Sequence, residues 1–273
     1  MEMIFMYSFI RSLNYFYTMI YRQVKRFLRA RSRVVVSIVQ PILWIFLFGM
    51  GMGGVFNFQN PMIDAFIRQQ FNGLDYMTFL LTGIVAMSIF IGSFISGVSV
   101  IFDKQFGFLK ETLVSPAPRE IILLGRAVGD SLVLLINASI VLTLGFMISN
   151  QLRPEGVLPA LSYGFVLSIG FASLGIAIAS RMNSMEGFQM LMNLLIMPLQ
   201  FVSGIFFPIQ RMPDWMQIIA KINPLTYAVD GIRYWLTGRS EFDPMIDIIL
   251  LMILSIIFLV IAMWSFRKAT IED

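Results

Sequence analysis

Long apolar runs alternate with short polar segments along this chain. Six runs stand out, at 34–56, 76–101, 121–149, 157–179, 187–207 and 244–266. About 20 apolar residues in a helix cross a ~30 Å hydrocarbon core, so each run has the length of a transmembrane helix. The third is longer than a crossing needs and is expected to project beyond the membrane. Ahead of the first run, Arg11, Asn14, Thr18, Arg22, Lys25, Arg29 and Arg33 recur at steps of three and four, one face of a helix. Leu13, Phe16, Ile20, Val24, Phe27 and Leu28 fall mainly on the other face. Residues 1–33 therefore predict a basic amphipathic helix in the membrane interface, on the cytoplasmic side if the charge bias below holds. Residues 34–273 predict an all-α integral membrane domain of six transmembrane helices.

Two connecting segments carry helical patterns of their own. Phe102, Phe106, Leu109 and Leu113 recur at four, three and four, while Asp103, Lys104, Lys110 and Glu111 decorate the remaining surface. Ser115 and Pro116 end that helix, because the residue before a proline is pushed out of the α region. A helix this short, about 103–116, is marginal alone in water and needs a surface: the lipid interface or a groove in a partner. Between the fifth and sixth runs, 212–220 reads as a short helix with Pro213 near its first turn. Asn223-Pro224 breaks the chain, and 225–237 reads as another amphipathic helix. These pieces, within about 208–237, are too short to span and too apolar to float free. Re-entrant helices on the outer side are the expected solution, because irregular backbone at membrane depth needs protein or a water cavity around it. They either cap that side or gate it.

Composition agrees with the pattern. Hydrophobic residues make up 58% of the chain and charged residues 13%, against roughly half and a quarter in a soluble domain. There is no Cys, hence no disulfide framework, thiol nucleophile or thiolate metal site. There is no His, which removes the usual general base and the commonest metal ligand. Intramembrane hydrolysis by a serine–histidine pair is excluded on that ground. The aspartyl type wants Gly-x-Gly-Asp, and Ala127-Val-Gly-Asp130 lacks the first glycine. The first six residues do not resemble a signal peptide, so the first apolar run is expected to direct insertion.

The net charge of +4 gathers at the ends of the runs, which argues for orientation against anionic lipid and not for nucleic acid. Thirteen Lys and Arg flank one side, most of them in the N-terminal arm, and six flank the other. The positive-inside rule then predicts a multi-pass plasma-membrane protein with both termini and the 103–116 helix in the cytoplasm. Inside the runs, Arg126 precedes Asp130 by four residues and is expected to pair with it near the cytoplasmic end. Gly92, Ser93, Ser96 and Gly97 form a doubled small-xxx-small pattern for close helix packing. Asn137, Gln189, Asn193 and Gln200 either bond across helices or line a pathway. Phe79, Phe90 and Phe94, with Phe201, Phe206 and Phe207, either pack or face an apolar cargo. No G-x-x-x-x-G-K-[ST] phosphate loop occurs; Gly125-Arg-Ala-Val-Gly-Asp130 lacks its ending and lies in an apolar run.

Two blocks carry a resemblance. Asp103, Gly107, Leu109, Glu111, Leu113, Ser115 and Pro116, followed by Gly125, are similar to the cytoplasmic loop signature of type-2 ABC exporter permeases. Pro198, Ser203-Gly204, Phe207-Pro208, Pro213, Trp215, Asn223 to Tyr227, Asp230 and Arg233 resemble that family's block after the fifth span. The chain most resembles daunorubicin-resistance and multidrug exporter permeases, over nearly its whole length. That resemblance implies a dimer of two permeases, expected here to be a homodimer. Two cytoplasmic ABC ATPase subunits bind ATP and Mg²⁺ beneath it, and no cofactor or catalysis belongs to this chain. It implies that Phe102, Asp103, Lys104, Phe106, Gly107, Leu109, Lys110, Glu111, Leu113, Ser115 and Pro116 form a coupling helix docked on the ATPase. Phe79, Phe90, Phe94, Asn193, Gln200 and Phe201 are candidates for the translocation path. Phe207, Pro208, Asn223, Pro224 and Tyr227 are candidates for an outer gate. The expected function is alternating-access export of hydrophobic or amphipathic compounds, drugs or lipids. Polysaccharide or lipo-oligosaccharide export is the alternative, and spans poor in charge favour the apolar cargo. An ion-coupled secondary transporter is more remote, because it predicts broken helices in two halves and breaks occur in one place.

Overall fold

The computed structural model describes residues 2–51, 68–106 and 118–267. Among them are ten α-helices and no strand. The first two, α1 (Glu2–Arg29) and α2 (Arg31–Trp44), meet at a bend of 72°. Pro41 cannot donate to the ladder, and α2 passes into a π turn at Ile45–Met50. Next come α3 (Tyr76–Ile95) and α4 (Val98–Gln105), then α5 (Arg119–Ile148) and α6 (Val157–Ser180). The chain ends with α7 (Met185–Phe201), α8 (Asp214–Ile222), α9 (Pro224–Thr237) and α10 (Pro244–Arg267).

Four stretches among the described residues are long and apolar enough to cross a membrane: Tyr76–Gln105, Arg119–Ile148, Pro154–Ser180 and Pro244–Ser265. Counting the bent α1–α2 pair as one span makes five. The run at 187–207 is not helical throughout. α7 has 17 residues, ~26 Å of helix, and ends at Phe201. Gly204 then takes a φ of 82°, which turns the chain back before Pro208.

Side chains set the boundaries. Asp75 caps α3 by accepting from the Thr78 amide at 2.9 Å. Ser184 caps α7 through the Gly187 amide at 2.8 Å. Asn223 caps α9, with Pro224 at its first position, and Gly238 closes that helix at a φ of 75°. The expected breaks around 208–237 are therefore present, with helices at 214–222 and 224–237.

At the centre, α6 packs against α3, α5, α9 and α10. Phe90, Phe94 and Phe171 form a closed ring cluster with centroids 4.8–5.2 Å apart, and Phe258 joins it at 5.5 Å. The expected close packing through Gly97 is realised against the backbone of Gly175. α1 lies along α5, where a Cβ on Gly129 would sit 3.1 Å from the Cα of Ile20.

Candidate functional site

Two polar clusters stand out in this apolar bundle. The first lies where α4 runs toward the segment expected to couple. Asp103 is 4% exposed, and three guanidinium groups from two other helices converge on it. Arg126 of α5 donates to its Oδ2 at 2.8 Å and to the Ser99 hydroxyl at 2.7 Å. Arg22 and Arg26 of α1 lie 3.5 and 3.8 Å from Oδ1. Only the Arg126 pair is buried on both sides; the α1 arginines are about one-third exposed. The next residue, Lys104, donates to the Ser180 carbonyl at 2.9 Å and to the Asn183 side chain at 3.1 Å. The residues just before 107 are thus tied to α1, α5 and the end of α6.

This changes the reading of the coupling residues. Asp103, placed by the pattern beside the apolar face of this helix, turns its carboxylate inward to the arginines. Lys104 likewise binds its own chain. Phe102 is half-buried, and the exposed ring of Phe106 stacks on it at 6.1 Å. Gly107, Leu109, Lys110, Glu111, Leu113, Ser115 and Pro116 lie outside the described residues. Arg126 reaches off its helix to Asp103, and Asp130 accepts from the hydroxyl of Ser96.

The second cluster surrounds α9. Arg233 is 1% exposed. Its guanidinium donates to Thr82 at 3.2 Å and to the Gly204 carbonyl at 2.8 Å, and lies 3.7 Å from the Phe79 ring centroid. Burial pushes its pKa down to about 10, opposed by the charges of Asp230 and Glu241. Asp230 accepts from the amides of Glu241 and Phe242 at 2.9–3.0 Å, and Glu241 from those of Ile209 and Gln210 at 3.1–3.2 Å. Burial raises both carboxyl groups above their usual range despite these donors. Asn223 is buried and donates to the Leu199 carbonyl at 2.7 Å. The Tyr227 hydroxyl bonds the Lys221 carbonyl. These contacts knit 199–242 into one unit, with Asn223 and Tyr227 inside it, Pro208 buried and Phe207 half-exposed.

The candidate path residues divide. Phe79, Phe90 and Phe94 are at most 1% exposed and fill the packed interior, so as placed they line no open passage within this chain. Their neighbours are Arg233 for Phe79 and the ring cluster for the other two. Asn193 and Phe201 face outward on α7, and Gln200 is buried with its Oε1 unpartnered. Charge counting did not single out the convergence of Arg22 and Arg26 on Asp103. A lone acid at the end of an apolar run, opposite a basic helix, was the available signal.

Neither cluster brings together a nucleophile and a base, and no group of three or more acids among the described residues is arranged to hold a metal ion. Both fasten membrane helices to one another. The comparisons with known proteins agree with that structural character. A putative transport permease of Cyanophora paradoxa, ycf38, is 30% identical over 274 residues, covering 96% of this chain and 90% of that protein. The daunorubicin resistance ABC transporter permease protein DrrB1 of Streptomyces coeruleorubidus is 24% identical, covering 82% and 76%. The inner membrane transport permease YadH of Escherichia coli K12 is 22% identical, covering 89% and 91%. The profile of the ABC-2 type transporter family matches residues 14–236, from the basic face of α1 to the buried arginine helix α9, and the chain belongs to that family of multi-pass membrane permeases.

Proposed function

We propose that this chain is the non-catalytic permease subunit of an ATP-driven exporter that moves hydrophobic or amphipathic compounds outward across the plasma membrane. The observation that carries this reading is the convergence on Asp103 and Lys104. Whatever docks on 107–116 pulls on a segment already bound to α1, α5 and α6, so force applied in the cytoplasm is delivered to three membrane helices. In this reading ATP and Mg²⁺ are bound by two separate ATPase subunits, and both termini are cytoplasmic.

Six spans follow if α2 and α7 cross together with the four long stretches. α7 supports a second copy. It buries only Phe188, Met192 and Gln200, leaving Met190, Leu194 and Met197 at 61–78% exposure with Asn193 beside them. A helix so weakly held by its own chain suits an interface between two copies, and Asn193 and Phe201 would then border the path between them. The few charges on the exposed apolar faces favour apolar cargo. The test is ATP-dependent accumulation of a lipophilic dye in inside-out vesicles containing this chain and its co-purified ATPase. Accumulation that requires both chains and ATP supports the reading. Flux driven by an ion gradient without ATP would overturn it.

A further inference from the structure

The polar cluster around α9 has one more member. Asp247 stands in the first turn of α10, and its side chain is fully buried. Neither of its carboxylate oxygens accepts a hydrogen bond from any described residue. A helix N-terminus favours a negative charge, but no amide reaches this one. Two phenols lie near enough to feel its charge, Tyr163 of α6 and Tyr227 of α9. Each has a single proton, and both are spent elsewhere. Tyr163 donates to the Pro244 carbonyl at 2.5 Å, and Tyr227 bonds the Lys221 carbonyl.

What does meet the Asp247 carboxyl is another carboxyl. Asp230, 2% exposed, lies within hydrogen-bond reach of it, where α9 packs against α10. Asp230 already accepts from the Glu241 and Phe242 amides. An ionised carboxyl only accepts, so two of them this close repel with no donor between. Arg233, the cation of this cluster, does not fill the gap. It attracts Asp230 and Glu241, but its guanidinium donates to Thr82 and to the Gly204 carbonyl. Asp243, one turn before Asp247, is a further acid, exposed and accepting from the Met245 amide. A proton shared by Asp230 and Asp247 turns the repulsion into an O–H···O⁻ hydrogen bond, the short and strong kind. No third acid joins the two to hold a metal ion among the described residues.

We propose that Asp230 and Asp247 form a proton-binding site, holding one proton between them at neutral pH, and that this proton fastens the 199–242 unit to α10. The unfolded chain gives that proton up above about pH 4. The stability it contributes is therefore full below that value. It falls as pH rises, by about tenfold in the folding equilibrium constant per pH unit, until the folded pair also releases the proton.

The test uses the full chain in detergent with Glu241→Gln, which removes the other raised carboxyl of the cluster. Infrared difference spectra at neutral pH compare this parent with the same chain carrying Asp247→Asn. The expected result is one deuterium-sensitive C=O band of a protonated carboxyl, present in the parent and lost in the variant. Asparagine offers Asp230 an N–H in the proton's place. Unfolding followed from about pH 5 to pH 9 should show the parent losing about tenfold per pH unit relative to the variant, until the band disappears. If Asp247→Asn does not fold, disappearance of the parent's band as pH rises reads the same proton. Na⁺, Mg²⁺ and Ca²⁺ should leave the band unchanged. No protonated band at neutral pH, or profiles of equal slope in parent and folded variant, overturns the proposal. So does a band abolished by one of those ions in the folded parent, which would make the pair a metal site.

Discussion

Asp103→Asn keeps the shape of the arginine-lined site and removes its charge. Arg126 is left with its side chain 7% exposed and only neutral oxygens to donate to. Removing one partner of a buried ion pair costs about 3–5 kcal/mol, because the other charge stays desolvated. Asparagine still offers one acceptor, so the lower end, about 3 kcal/mol, applies here. Arg22 and Arg26 are about one-third exposed, and their losses add less than about 1 kcal/mol each. For a chain of this size each kcal/mol moves the melting temperature by about 2–4 °C, so a fall of about 6–12 °C is expected. The assay is thermal unfolding of the purified protein in detergent, followed by tryptophan emission. The double variant Asp103→Asn with Arg126→Met removes both charges and should recover most of the loss. A single variant within 1 °C of the parent, or a double variant that falls by the sum of the two singles, would refute the reasoning. In the assembled transporter the single variant should also move less dye per ATP hydrolysed.

Three further outcomes follow from the same contacts. Arg233→Met strands the Gly204 carbonyl and leaves Asp230 and Glu241 without their cation, so a loss of about 3–5 kcal/mol is expected in urea unfolding; a shift below 1 kcal/mol would count against the outer cluster. Because burial raises the Glu241 carboxyl, the native state holds that proton more tightly than the unfolded chain does. Its contribution is full below about pH 4.5 and is lost as pH rises through the folded pKa, and Glu241→Gln should flatten that decline in a melting-temperature profile. An unchanged slope in the variant would assign the decline elsewhere. Gly129→Leu places bulk against Ile20 and Gln23 and should prise α1 from α5, read as a gain in proteolysis near Ala30; Gly51→Ala, with open space around it, should not.

Much of the fold is legible in periodicity. The three-and-four stripe from Arg11 to Arg29 marks α1, and Pro213 and Asn223-Pro224 place the breaks around α8 and α9 within a residue or two. The failures share a cause. A helical pattern says which residues share a face, but not what other helices bring to it. The partners of Asp103 stay hidden in the pattern because the arginines that claim it lie more than 20 residues away on α1 and α5. The apolar run at 187–207 read as one helix because its last residues are greasy. Composition does not reveal that Gly204 turns there and gives its carbonyl to Arg233. For Phe79, Phe90 and Phe94 the sequence leaves both packing and cargo contact open, and the neighbours that bury them, Arg233 and the ring cluster, come from distant helices.

The Lys104 contact with the Ser180 carbonyl has a mechanical consequence. Ser180 is the last residue of α6, a straight-through helix of 24 residues, or ~36 Å. At its other end the Gly156 backbone abuts the Trp235 carbonyl, and Tyr163 packs on Gly231 and donates to the Pro244 carbonyl at 2.5 Å. α6 is therefore a strut fastened at both ends. In the proposed orientation, a torque applied where Lys104 grips one end of α6 is carried to the Gly156 and Tyr163 contacts at the other.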